Sequence, residues 1–225
     1  MSLMPAALDH LVLAVPHLED AVLDLARRTG VQPVAGGAHP GRGTRNALVG
    51  MTWQGRRRCY LELLAPDPDQ PPVAAEDTML GLGFLGADFA PRLHAWAVRP
   101  DDLDATLEAA ARARVDTGRP VGASRDLPDG TRLAWRLAVP HPLGHGGVQP
   151  FLIAWDGPHP TDGSMPTLEL VELAVDHPDP EAVTRDLAAL DVRVEVHRGP
   201  EPRLHAVLDS PEGRGELGDC CRGRG

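Results

Sequence analysis

Glu62 sits where a carboxylate needs a reason. It lies in Cys59–Leu64 (CYLELL), an otherwise apolar run of strand length. Alternation along such a strand puts Tyr60, Glu62 and Leu64 on one face and Leu61 and Leu63 on the other. Burying the carboxylate there is costly unless a metal, a cation or a hydrogen-bond donor meets it. The alternative is an edge strand that turns Glu62 to water. His10, inside the apolar run Leu8–Val15 (LDHLVLAV), reads alone as a hydrogen-bonded core residue. Together with Glu62 it points to a site. The stretch Gly37–Asn46 adds His39, able to act as acid, base or ligand near neutral pH, and Thr44 and Asn46 as donors and acceptors. Gly41 and Gly43 permit the close backbone approach a ligand needs. A tight turn in which Thr44 and Asn46 cap backbone groups is the competing reading.

Weaker candidates are spread along the rest of the chain. Trp135 and Trp155 are strand aromatics that either line a pocket or fill a core. His94 lies in a strand-like run, Leu93–Val98 (LHAWAV), comparable to that of His10. Counting back from the following helix puts the position equivalent to His10 at Ala95, whereas counting from the shared Ala-Val end puts it at Leu93. Adjacent strand residues face opposite ways, so the register of His94 stays open. Glu169, Glu172 and His205 either complete a site or lie on the surface. His141, His145 and His159 fall in segments rich in Pro and Gly and are expected to face solvent. No P-loop, dinucleotide fingerprint, nucleophile elbow or zinc cysteine cluster is present.

The chain has 225 residues, 42% of them hydrophobic, enough to bury a full core. A formal charge of −10 argues against nucleic acid or an anionic membrane as partner. No apolar stretch approaches the length of a membrane span, and Met1–Pro5 lacks the basic and apolar regions of a secretory signal. Cys59, Cys220 and Cys221 make no disulfide framework, so a reducing cytoplasm is expected.

The elements that must position these residues recur three times. Apolar strands ending in Ala-Val stand at Leu8–Val15, Leu93–Val98 and Leu168–Val175. Each leads into an acidic helix start, an amphipathic helix and short strands. In the first unit Leu18, Ala21, Val22 and Leu25 form the helix stripe and Gly30 the stop. Val31–Gly43 reads as loop, and Asn46–Trp53 and Cys59–Leu64 as a hairpin across Gln54-Gly55. The second unit has a helix opened by Asp101, Asp102 and Asp104. Strands Arg132–Val139 and Phe151–Trp155 follow, the first entered through a Pro128-Asp129-Gly130 turn. The third has Asp179 as N-cap, Pro180 at the first helical position, and strands Val192–Val196, Leu204–Leu208 and a last short one at Glu216-Leu217. The expected division is a first βαβββ module over residues 1–72, a second over 90–160, a shorter third βαββ(β) module over 166–218 and a disordered tail over 219–225. The fold class is α+β, with curved mixed sheets and helices outside.

At this level the chain resembles the glyoxalase-like branch of the vicinal oxygen chelate superfamily. The resemblance rests on Leu8-Asp9-His10-Leu11, on residues 36–46 (GGAHPGRGTRN), on residues 60–66 (YLELLAP), on residues 132–137 (RLAWRL) and on residues 150–155 (PFLIAW) with His159-Pro160. It implies paired βαβββ modules closing a half-barrel around a cavity. It also implies a divalent metal (Zn, Ni, Mn or Fe) held by His10, Glu62 and His94, or a metal-free pocket. Glu62 and His39 would be catalytic; Asn46, Thr44, Tyr60 and Trp155 would bind a small oxygenated molecule in lyase, isomerase or dioxygenase chemistry. The last strand of the second unit, Phe151–Trp155, lacks the carboxylate the pattern wants, which puts a complete metal centre in doubt. The alternative is a metal-free sequestration protein of the bleomycin-resistance type. An odd third unit suggests a homodimer, formed through exposed sheet edges or through that unit.

Overall fold

The computed structural model describes residues 7–53, 56–126 and 132–217. The expected turns at Gln54-Gly55 and at residues 128–130, and the C-terminal tail with Cys220 and Cys221, lie outside them. The first unit runs β1 (Leu8–Ala14), α1 (Leu18–Thr29), β2 (Val34–His39), β3 (Thr44–Trp53) and β4 (Arg56–Pro66). The second runs β5 (Arg92–Val98), α2 (Leu103–Ala113), β6 (Pro120–Asp126), β7 (Arg132–Ala138) and β8 (Phe151–Trp155). The third runs β9 (Thr167–His177), α3 (Pro180–Ala189), β10 (Glu195–Arg198), β11 (Arg203–Ser210) and β12 (Gly213–Leu217).

The helices form where the sequence carries their signals. Glu19 and Asp20 in the first turn of α1 and Arg27 and Arg28 in its last complement the helix dipole. Gly30, at φ 70°, closes it by donating its N–H to the Ala26 carbonyl. Asp102 and Asp179 cap α2 and α3, each accepting a backbone N–H, from Ala105 and Ala182.

The twelve strands of the described residues join one mixed sheet in the order β12-β11-β9-β3-β4-β1-β5-β8-β7-β6, with β10 paired to β9 and β2 to β3. The first two units meet where β1 and β5 pair antiparallel, and in each unit the first strand pairs parallel with the last. Both faces of the central strands are buried. Leu11, Leu13, Leu61 and Leu63 pack in the cluster that holds the helix residues Leu25, Ala110 and Leu187. Val12, Ala14, Leu64, Ala95, Ala97, Phe151 and Ile153 form a second cluster on the cavity side. This is the α+β half-barrel with helices outside. The third unit attaches by its first strand, β9, which pairs parallel with β3 through Gly50↔Thr167 to Thr52↔Glu169.

Three details correct the sequence reading. Val31–Gly43 is not all loop, because Val34–His39 is a strand paired antiparallel to β3. Pro120–Asp126, unassigned from sequence, is a strand at one end of the sheet. Val192 and Val194 are buried in the main cluster ahead of the ladder, which starts only at Glu195. Apolar burial rather than strand pairing explains their pattern.

Cys59 lies in this core, and burial first, then the charges of Asp9 and Glu169, pushes its thiol up to about 12. In a Cys220→Ser, Cys221→Ser background it should therefore resist a disulfide reagent at neutral pH and react only on unfolding. Stoichiometric labelling of the folded protein would contradict that placement.

Candidate active site

Glu62 is not on an edge. Its strand β4 lies between β1 and β3, where Glu62 is opposite Val12 on one side and Leu48 on the other. His10 and Asn46 are therefore diagonal cross-strand neighbours of Glu62 on the same face, within reach of each other's side chains. His39, at the end of β2, pairs with Thr44 at the start of β3. All five side chains are buried.

They converge on one carboxylate. Asn46 Nδ2 donates to Glu62 Oε1 at 2.6 Å, and His39 Nε2 lies 3.8 Å from the same oxygen. His10 Nε2 lies 3.5 Å from Oε2. His39 is steadied from behind by Thr44, whose Oγ1 is 2.9 Å from Nδ1. Gly36 makes room for Asn46, since a Cβ there would fall 2.0 Å from the amide oxygen. The His10 ring stacks on Tyr60, with centroids 4.5 Å apart and planes 15° apart, and meets Phe151 edge-on at 5.3 Å.

A second carboxylate, missed in the sequence, stands behind His10. Leu8 pairs with Val98 and His10 with Ala97, so Asp9 is the extra residue of a β-bulge. The bulge lets consecutive side chains meet: Asp9 Oδ1 is 2.7 Å from His10 Nδ1. A carboxylate only accepts, so His10 donates there and keeps Nε2 for the Glu62 side. Oδ2 accepts from Trp155 Nε1 and takes His159 Nε2, both at 3.1 Å, with Arg99 Nε at 3.8 Å. Burial raises the affinity of Asp9 for a proton, but the His10 and His159 bonds and charges win and hold its carboxyl well below the usual carboxylate range. His159, expected in solvent, is buried because it closes this network from about 150 residues away.

The other sequence candidates divide. Tyr60 and Trp155 line the same small cavity as His10, His39, Asn46 and Glu62, about 50 Å³ in volume. Trp135 and Leu137 line it too, and extend into an outer chamber of about 850 Å³ reached past His39, Met79 and Leu80. His141 lines only the outer chamber. His145 pairs with Asp186, and His205 with Asp176 and Glu216. Glu169 hydrogen-bonds Thr52.

His94 is not brought to the centre. It is the extra residue of a second bulge, between Val12↔Ala95 and Leu13↔Leu93, and its Nε2 lies 2.9 Å from the Leu80 carbonyl. Burial, against the Leu80 bond and with the charge of Arg92, holds this imidazole below the ordinary histidine range. The unfolded chain then binds a proton that the folded chain refuses, so stability is lost as pH falls below that range. Between about pH 7 and pH 5, His94→Gln should lose less stability than the wild type in urea melts. Equal losses would contradict the assignment.

These placements bear on a metal. Among the described residues no group of three or more His, Cys, Asp or Glu side chains is arranged to hold an ion. The Asn46 amide occupies Glu62 Oε1, and the wall from the second unit (Trp135, Leu137, Phe151, Ile153 and Trp155) offers no ligand. The residues present do not fit the metal centre the resemblance implies.

Two βαβββ units joined through their first strands around a shared cavity define the vicinal oxygen chelate fold. A glyoxalase-like domain model matches residues 8–190, and the chain belongs to that family. A hypothetical protein from Staphylococcus aureus has a similar structure, with TM-score 0.61 and 15% identity over 94% of this chain and 85% of that one. Methylmalonyl-CoA epimerase from Mycobacterium tuberculosis aligns at TM-score 0.40 and 19% identity over 69% of this chain and 91% of its own. A mutant 4-hydroxymandelate synthase from Streptomyces coelicolor aligns at 0.47 and 16%, over 96% and 63%. A search of curated protein sequences returns no match. Among the described residues no helix is long and apolar enough to cross a membrane.

Proposed function

We propose that this chain is an isomerase- or epimerase-type enzyme that moves a proton at a carbon beside a carbonyl of a small oxygenated molecule. The observation that carries the reading is one buried carboxylate flanked by two imidazoles, His10 at Oε2 and His39 at Oε1, in a cavity wall. Glu62 takes the carbon-bound proton, leaving an enolate. Protonated His10 or His39 then delivers a proton from Nε2 to the neighbouring atom or the opposite face, and Glu62 passes the proton it took to that imidazole, which restores both groups for the next turnover. Asp9 holds His10 by Nδ1 so that Nε2 faces the reacting carbon. Asn46 positions Glu62, and Tyr60 and Phe151 exclude water from the His10 ring.

The test is deuterium wash-in from D2O into hydroxyacetone, whose two oxygens lie on neighbouring carbons, followed by proton NMR. Wash-in above the buffer rate is the expected result; a rate equal to buffer would refute the reading and leave the sequestration alternative. Equilibrium dialysis against Zn, Ni, Mn and Fe should give far less than one equivalent bound. A homodimer is part of the same proposal, with β6 and β12, the two ends of the main strand order, as candidate edges, and light scattering at micromolar protein tests it.

A further inference from the structure

The proton-transfer centre needs only the inner cavity, which leaves the outer chamber without a role. Its floor is built from three neighbouring strands. Val121 pairs with Leu137 and Leu137 with Ile153; Ala123 pairs with Trp135 and Trp135 with Trp155. Two apolar rows thus run side by side from the open end of the chamber across β6, β7 and β8 into the inner cavity. No charged side chain interrupts either row. The charged groups that line the chamber (Arg42, Arg119, Glu76, Asp77 and Asp116) are exposed and of both signs, so they favour neither an anion nor a cation.

Size divides the two spaces. About 50 Å³ at Glu62 admits a few atoms, whereas about 850 Å³ outside matches the pockets that enclose drug-sized ligands. His39, Met79, Leu80, Trp135 and Leu137 line both, so the junction, or neck, between the two spaces lies among these five. Leu80 holds a left-handed backbone, φ 54°, and its carbonyl is tied to His94, so the neck has a fixed support. On the floor beyond it Val121 is 54% exposed, an apolar side chain left in water. Exposed apolar surface continuous with a reactive cavity marks a ligand site rather than a chance patch.

We infer that the substrate has two parts: a small oxygenated head that passes the neck to Glu62, and a flat, uncharged, largely apolar body that lies on the floor of the outer chamber. The assignment of the head rests on the proton-transfer reading; the assignment of the body rests on the chamber alone. Binding of naphthyl hydroxymethyl ketone, which has both parts, should be compared with that of hydroxyacetone, which is the head only. Quenching of tryptophan fluorescence at Trp135 and Trp155 reports occupancy. The naphthyl compound should bind roughly 100-fold more tightly than hydroxyacetone. Val121→Glu and Ala123→Glu, both at exposed positions, should each weaken the naphthyl compound about tenfold by forcing charge against an apolar ring, and leave hydroxyacetone unchanged. Equal affinity for the two probes, or naphthyl binding indifferent to both substitutions in folded protein, would overturn the inference. Tight naphthyl binding with no proton exchange supports the body site while refuting the head chemistry. Exchange in hydroxyacetone without any gain from the naphthyl group does the reverse.

Discussion

Glu62→Gln is expected to leave a folded protein in which deuterium exchange at the substrate carbon falls by about 10²–10⁴-fold, the range a positioned general base contributes. Glutamine keeps the shape and still accepts the Asn46 amide at Oε1, so packing and ligand binding should change little. It has no proton affinity to offer, and that is the difference the rate reads. The neighbours sharpen the expectation. His10 and His39 approach opposite oxygens of the carboxylate at 3.5 Å and 3.8 Å, so loss of either leaves the base and one partner. Their substitutions should cost less than loss of Glu62. If exchange by Glu62→Gln matched the wild type, the base would have to be one of the imidazoles.

Asp9→Ala should be the most destabilising substitution at the site. The carboxylate is wholly buried and serves His10, His159 and Trp155 at once. Removing it strands three polar groups and breaks a buried charged network, for which about 3–5 kcal/mol is the usual cost. In a domain of this length that corresponds to a fall of roughly 6–20 °C in Tm. The pH dependence has a definite sign. The folded carboxyl is held below its unfolded range, so its stabilising contribution is present above the ordinary carboxylate range and is lost as pH falls through and below it. Asp9→Ala should therefore flatten the acid limb of the stability curve. A melting temperature within a degree or two of the wild type would contradict the network.

How much of this was legible in the sequence depended on whether local periodicity survived. Glu62 was legible because β4 alternates without interruption from Cys59 to Pro66, so one carboxylate among apolar neighbours had to share the face of Tyr60 and Leu64. The helices were legible from caps and charged turns. Asp9 was not, because a bulge breaks the alternation on which its orientation would be judged. The same device explains His94. Counting from the helix and counting from the Ala-Val end disagree because two residues (Pro16-His17) join that end to the helix in the first unit and four (Arg99 to Asp102) in the second, and the bulge at His94 then takes its side chain off the face that either count assumes. β2 escaped notice because Val34-Ala-Gly-Gly-Ala-His has a single β-branched residue, Val34, and two adjacent glycines where a strand is usually marked by β-branched and aromatic side chains. β6, at one end of the sheet with Pro120 and Gly122, carries only the short alternating pair Val121 and Ala123 before Ser124, Arg125 and Asp126. His159 needed tertiary information outright, since only the fold carries it to Asp9. Family membership adds the fold and leaves the chemistry to the side chains, since one architecture hosts many reactions.

On the proposed chemistry the side chains around Glu62 move a carbon-bound proton unaided. Deuterium wash-in into hydroxyacetone, measured by proton NMR on wild-type protein before and after exhaustive treatment with a chelator, tests it most directly. The predicted result is exchange above the buffer rate that survives chelation and is unchanged when Zn, Ni, Mn or Fe is added back. Exchange that disappears on chelation and returns with one of those ions would contradict it.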